Sequence, residues 1–317
     1  MIASASFLAL AFAALMSLPS VVTSSSSHRT RGLKSNLFPT GFVYASGFTT
    51  ADGVSVPGIS HVGLNDSALH VSRVTAGLTH HVVQKNGKNA WEAVYANGSY
   101  HPTSSPLGGF GFYVGGSKSF VAATTAGAQE VLFSYSVMFQ NGFEWVQGGK
   151  LPGGFGGEGD SAFHCSGGRQ YDRDKCFDLR LMWRLNGTGE VYAYLPLTEK
   201  NNAVMLAVPP MADANPDYGF SVGRGSFKFP AGEWVTVAER IKMNDPSKTN
   251  GEVQLWFNGK SVINMKGLQL RNTSITRVQG MHFQTFFGGS TPDWATPKEQ
   301  MSWFADVSGA VIRAHSN

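Results

Sequence analysis

The stretch Glu252-Val-Gln-Leu-Trp-Phe257, Asn258-Gly259, Lys260-Ser-Val-Ile-Asn-Met265 reads as two β-rich runs joined by a two-residue turn. Asn-Gly at the joint suits the positive φ angles of a type I′ turn, whose twist matches that of an antiparallel hairpin. A second hairpin is predicted from Asp178-Leu-Arg-Leu-Met-Trp-Arg184 to Glu190-Val-Tyr-Ala-Tyr-Leu195, around Asn186-Gly187. Residues 131–140, 233–243, 280–287 and 302–313 supply further strand candidates. From Phe38 onward, short β-rich runs alternate with Gly, Asn, Asp and Pro, and no apolar period of 3.6 residues persists. The 38 glycines and a charged fraction of 15% suit many short strands with tight turns. Nothing repeats at a fixed period, which argues against a propeller or solenoid. The expectation is an all-β chain, a two-sheet sandwich or jelly roll. A length of 317 residues allows two domains, but no linker-like stretch follows residue 36, so residues 37–317 read as one.

The N-terminal part reads differently. Residues 7–22 form an apolar run too short for a comfortable membrane span and followed by small residues, which predicts a signal peptide over 1–23. Residues 24–36 are Ser-rich and carry Arg29, Arg31 and Lys34, the composition of a disordered basic leader. Setting those three cations aside leaves 22 basic residues against 21 acidic ones, so the formal charge of +4 does not describe a basic face for nucleic acid. In a secreted chain the pair Cys165 and Cys176 reads as a disulfide closing a short loop, worth roughly 3 kcal/mol by loop entropy. No His/Cys cluster has zinc spacing, and no cofactor motif is present. Asn65, Asn97, Asn186 and Asn272 stand in glycosylation sequons. The expected protein is secreted, extracellular and monomeric, with no nucleic-acid partner and no membrane contact after signal cleavage.

Chemistry concentrates in the middle of the chain. Gly142-Phe-Glu-Trp-Val-Gln-Gly-Gly-Lys-Leu-Pro-Gly-Gly-Phe-Gly-Gly157 sets one lysine among glycines that allow a ligand close to the backbone, making Lys150 a candidate anion contact. By period-two alternation Asp178, Arg180, Met182 and Arg184 share one strand face, and Tyr192 and Tyr194 share one face of the next. Fixed cations beside phenols suit β-elimination from a uronic acid. Cations neutralise the carboxylate and make the C5 proton removable, while a phenol exchanges protons with C5 and the leaving oxygen. Register decides whether the two sets meet. A two-residue turn at Asn186-Gly187 puts Arg180 opposite Ala193 and the tyrosines on the other face; a three-residue loop ending at Thr188 puts Arg180 opposite Tyr194. A shared cleft therefore requires the longer loop, or a bulge near Gly189. His164, Gln147 and Arg169 are further candidate substrate contacts, as are His282 and Gln284, which alternate on one strand face.

Several separated runs, in order, are similar to polysaccharide lyase family fourteen. They are Gly-Gly-Lys-Leu-Pro-Gly (148–153), Cys-Ser-Gly-Gly-Arg (165–169), Arg-Leu-Met-Trp-Arg (180–184), Val191-Tyr-Ala-Tyr-Leu-Pro196, Gly223-Arg-Gly-Ser-Phe227 and Phe283-Gln-Thr-Phe-Phe-Gly-Gly289. With Ala90-Trp-Glu-Ala and Gly108-Gly-Phe-Gly-Phe-Tyr113, the resemblance spans roughly residues 36–315. It implies a jelly roll that cleaves alginate or glucuronan by metal-independent β-elimination. Lys150 and Arg180 would then bind or neutralise the uronate carboxylate, and Tyr192 and Tyr194 would supply general base and acid. Two positions before the arginine, where the family leads one to expect a small hydroxyl residue, this chain has Asp178. An acid there can pair with Arg180 or repel a polyanion.

Two other readings compete. A glycoside hydrolase needs two carboxylates flanking the bond, and the nearest pattern is Glu158-Gly-Asp160-Ser-Ala162, without a third acid at the alternating position. A non-catalytic carbohydrate-binding sandwich would stack sugars on Trp145, Trp183, Tyr192 and Trp256.

Overall fold

The computed structural model describes residues 1, 32–167, 169, 171–215 and 218–313. The predicted signal peptide from residue 2 on and the leader as far as residue 31 lie outside the described residues. Residues 32–37 are helical rather than a continuation of a disordered leader. The cause is an apolar bed: Leu37 is fully buried in a cluster with Val54, Trp256 and Ile312, and Leu33 packs against it.

The strands are β1 (Tyr44–Thr49), β2 (Ile59–His61), β3 (Val71–Ser72), β4 (Val82–Lys85), β5 (Lys88–Tyr95) and β6 (Phe110–Val114). Then come β7 (Glu130–Phe139), β8 (Gly148–Gly157), β9 (Cys176–Arg184), β10 (Thr188–Tyr194), β11 (Asp213–Ala214) and β12 (Phe220–Lys228). The chain closes with β13 (Val235–Lys242), β14 (Gly251–Phe257), β15 (Lys260–Leu268), β16 (Arg277–Phe287) and β17 (Gln300–Ile312). One sheet runs β15-β14-β13-β7-β17-β1-β2, with β5 and β4 joined through β17; the other runs β11-β12-β10-β9-β8-β16-β6-β3. This is the expected two-sheet sandwich of jelly-roll type. The β14–β15 turn has φ of 48° at Asn258 and 77° at Gly259, the positive pair that Asn-Gly supplies.

Alternation sorts each strand of the second sheet. Phe177, Leu179, Leu181 and Trp183 of β9 face inward and are buried with Phe133, Tyr135, Val137 and Phe139 of β7 from the first sheet. Each such side chain contributes roughly 1.5–3 kcal/mol by leaving water. Asp178, Arg180, Met182 and Arg184 consequently face outward.

Strand β8 departs from simple alternation. Its ladder with β9 slips between Leu151 and Gly153, a bulge at Pro152 whose carbonyl accepts a hydrogen bond from the Tyr135 hydroxyl of the opposing sheet, 3.0 Å. Glycine is required beside it. A Cβ on Gly149 would lie 2.1 Å from the Trp183 ring, and one on Gly154 would lie 2.3 Å from Ile241. Two short helices, Lys118–Thr125 and Glu199–Leu206, are capped by Ser117 and Thr198, whose hydroxyls accept from the Phe120 and Asn201 amides.

Candidate active site

The β9–β10 loop is three residues long, Leu185–Gly187, one position earlier than the loop the sequence suggested. Arg180 therefore pairs with Tyr192, and Tyr194 with Asp178, rather than Arg180 with Tyr194. Parity is what matters, and it is the expected one. Tyr192 and Tyr194 stand on the same face as Arg180, and all three line one cleft of about 570 Å³. Lys150, Asp178, Met182, Arg184, His282 and Gln284 line it too.

The glycines of β8 let its neighbours meet above it. Gly153 lies between Arg180 of β9 and His282 of β16 in the ladder and presents no side chain. Side chains from the two flanking strands bond across the gap. The Arg180 Nη1 and Nη2 donate to the Gln284 side-chain oxygen (2.8 Å) and carbonyl (2.6 Å), and Nε donates to the Leu151 carbonyl at the bulge, 3.2 Å. All three acceptors are neutral, so the Arg180 charge is not spent on an ion pair. Asp178 does not pair with Arg180. Its Oδ2 lies 2.7 Å from His282 Nδ1, and its Oδ1 is buried without a partner.

Lys150 sits deep in the floor, its Nζ 3.1 Å from the Tyr192 ring centroid and 3.1 Å from Met182 Sδ. Burial, then the neighbouring Arg180 and Arg184, push its amine well below the usual lysine range. Burial raises both phenols, Tyr194 with a further contribution from Tyr192. At neutral pH both tyrosines therefore carry their protons.

One end of the cleft is organised by a residue that the sequence did not single out. Glu190 is fully buried beneath Arg184 and Arg224; Arg184 donates to Oε1 at 2.7 and 2.8 Å, and Arg224 and Ser221 donate to Oε2 at 2.6 Å. Burial alone would raise this carboxyl, but Arg184, Ser221 and Arg224 outweigh it and hold it below the usual range. Arg224 belongs to the Gly223-Arg-Gly-Ser-Phe227 run, which was the available signal. Trp294, Tyr218 and Asp213 also line the cleft and carried none.

Three predicted contacts lie elsewhere. Gln147 is exposed and bonded to Asp293, because it precedes β8 and turns away from the sheet. His164 is exposed at the end of a 3-10 turn, and Arg169 is held by the Ser161 carbonyl and Asp172. None of the three lines the cleft. The disulfide Cys165–Cys176 is formed and ties the segment of Ser166 and Gly167, which do line it.

A family model for polysaccharide lyase 14 matches residues 83–307. The chain belongs to polysaccharide lyase family 14. Within this lyase family it is similar to the marine alginate lyase of Aplysia kurodai, at 33% identity and TM-score 0.65, covering 75% of this chain and 89% of that one. It is also similar to the alginate lyase vAL-1 of Chlorella virus, at 24% identity and TM-score 0.62, covering 77% and 93%. No curated protein sequence matches.

In this polysaccharide lyase the glycoside-hydrolase reading loses its acids, and the sugar-stacking reading keeps only Tyr192 in the cleft. Glu158 is bonded to Thr273 and Thr276 and Asp160 to Arg73, away from the cleft. Trp183 is buried in the core and Trp256 in the separate cluster around Leu37, so neither forms a stacking platform; Trp145 lines a different hollow with Asn186. Among the described residues no three His, Cys, Asp or Glu side chains converge as a metal site, and no helix is long and apolar enough to cross a membrane.

Proposed function

We propose that this lyase cleaves a β-1,4-linked polyuronate, alginate or glucuronan, by metal-independent β-elimination. The observation that carries the reading is the arrangement of cations on β8 and β9 beside phenols on β10, on one face of one sheet and in one cleft. Arg180 retains one N–H on each terminal nitrogen for a carboxylate oxygen. Lys150 completes the neutralisation. Its depressed basicity reverses when a uronate carboxylate arrives, so binding draws a proton onto the amine. With the carboxylate neutralised, charge developing on C5 is stabilised and the C5 proton becomes removable. The protonated phenols of Tyr192 and Tyr194 suit donation to the leaving oxygen.

The natural setting we infer is extracellular, acting as a monomer on an acidic polysaccharide. The disulfide suits an oxidising compartment, and the four sequon asparagines are exposed. The test is ultraviolet absorbance of the unsaturated uronate during action on polymannuronate, polyguluronate and glucuronan separately. Absorbance should rise on at least one polymer and fall about 10²–10⁴-fold in Lys150→Ala and Tyr194→Phe. Absence of product from all three, with polymer binding intact, would make this a carbohydrate-binding protein instead.

A further inference from the structure

We propose that Asp178 and His282 form a proton-transfer pair in which His282 Nε2 takes the C5 proton and Asp178, a positioning residue, fixes the imidazole for that task. The proposal rests on the polyuronate reading above and adds to it a base and a stereochemical preference.

The geometry determines which nitrogen is available. A carboxylate only accepts hydrogen bonds, so the 2.7 Å contact to Asp178 Oδ2 puts the hydrogen on His282 Nδ1 and leaves the Nε2 lone pair outside. The ring cannot turn freely, because it is stacked on Tyr113 at 4.4 Å and 14°. Among the described residues Nε2 has no hydrogen-bond partner, it is not among the buried unsatisfied atoms, and His282 lines the cleft. The groups facing the imidazole are Asp178 and Arg180 from β9, Tyr113 from β6 and Lys150 from β8. Burial lowers the imidazole from its usual range, and Arg180 and Lys150 lower it further against the pull of Asp178, so it is neutral at neutral pH.

Position across the sheet completes the argument. In the order β10-β9-β8-β16, the phenols stand on β10, Arg180 on β9, Lys150 on β8 and His282 on β16. A carboxylate held by the two central cations would set one face of the sugar ring toward the phenols and the other toward the imidazole. The C5–H bond breaks with its proton going to Nε2, and its electron pair becomes the C4–C5 double bond. The C4–O4 bond breaks as the leaving oxygen takes the proton of a phenol. Solvent then removes the proton from His282 and restores the tyrosine. Proton and leaving oxygen depart from opposite faces, which is the relation found in guluronate; in mannuronate and glucuronate, H5 and O4 share a face.

Wild type, His282→Gln and Asp178→Asn would be assayed on the three polymers across pH, with the imidazole tautomer of the wild type read by long-range ¹H–¹⁵N NMR. Wild type should cleave polyguluronate with an acid limb from protonation of His282. His282→Gln should lose about 10²–10⁴-fold on that polymer, together with the limb. Asp178→Asn should lower kcat and shift the limb to lower pH, a shift that a merely structural residue would not produce. The NMR arm, which needs no variant to fold, should show the hydrogen on Nδ1. The proposal is overturned by an Nε2–H tautomer, by a His282→Gln enzyme with wild-type polyguluronate activity, or by a wild type that cleaves only the other polymers. No product from any polymer would instead bring down the polyuronate reading itself.

Discussion

Replacing Glu190 by glutamine removes the negative charge that two cleft arginines share. The carboxylate has no exposed surface, and the Arg184 and Arg224 side chains are only 15% and 27% exposed. Removing one partner from a buried ion pair costs about 3–5 kcal/mol, because the remaining charge is left without compensation. Glutamine keeps the shape and one acceptor oxygen, so the lower end, about 3 kcal/mol, applies. For a chain of this size 1 kcal/mol shifts the melting temperature by about 2–4 °C, which predicts a fall of about 6–12 °C. The pH dependence follows from the sign of the shift. Glu190 is held below its ordinary value of 4.5, so its contribution is complete above that value and is lost as pH falls through the lower folded value. The gap between wild type and Glu190→Gln should therefore be widest near neutrality and close in strong acid. Thermal melts at several pH values read this directly. A Glu190→Gln protein melting within about 1 °C of wild type at neutral pH would refute the anchoring argument, at the energy scale used.

Three further outcomes follow from the same contacts. Arg180→Lys loses the fan of bonds to Leu151 and Gln284, and kcat/KM should fall about 10²-fold or more, at about 1.5–3 kcal/mol per charged hydrogen bond, measured by initial rates. Replacing both Cys165 and Cys176 by serine should cost roughly 3 kcal/mol in chemical denaturation and raise KM more than it lowers kcat, since Ser166 and Gly167 form one wall. Burial raises the Glu239 carboxyl to about 8, with its Oε2 accepting from the Gly154 amide. The folded state thus binds the extra proton, and wild-type stability should decline as pH rises from 4.5 toward 8, whereas Glu239→Gln should show a flatter profile in the same melts.

Where local chemistry decides structure, the sequence was readable. Asn258-Gly259 specified its turn, and strands such as β7 and β17 lie within a few residues of their predicted bounds, because an inward apolar row has no alternative exposure. The β9–β10 loop length was less accessible: Asn186-Gly187 marks the turn, but Leu185 joins it, and only packing of both strands settles that. The capped helices at 118–125 and 199–206 are two turns long, too short to establish an apolar period. That Lys150, Arg180 and the tyrosines line one cleft was legible because their motifs and strand parity place them on one face. Glu190 was missed, since its partners Arg184 on β9 and Ser221 and Arg224 on β12 are gathered from the two strands that flank its own. Gln147, His164 and Arg169 were misplaced for the converse reason, that nearness in sequence to the motif residues does not carry a side chain around a strand end.

The bulge at Pro152 also changes the counting of β8. Before it, even-numbered residues face the cleft and odd ones the core, as Lys150 and Leu151 do; after it Phe155 is on the cleft side and Gly154 on the core side. The strand thus changes phase by one residue midway. Because Pro152 is the one residue of this stretch without a partner in the β9 ladder, its deletion would leave Leu151 opposite Leu181 and Gly153 opposite Arg180, with both halves of β8 keeping their faces. What deletion would remove is the Pro152 carbonyl, and with it the hydrogen bond that the Tyr135 hydroxyl donates from the opposing sheet. The extra residue thus ties the two sheets together at mid-strand while the facing of Lys150 is left to the ordinary alternation of β8.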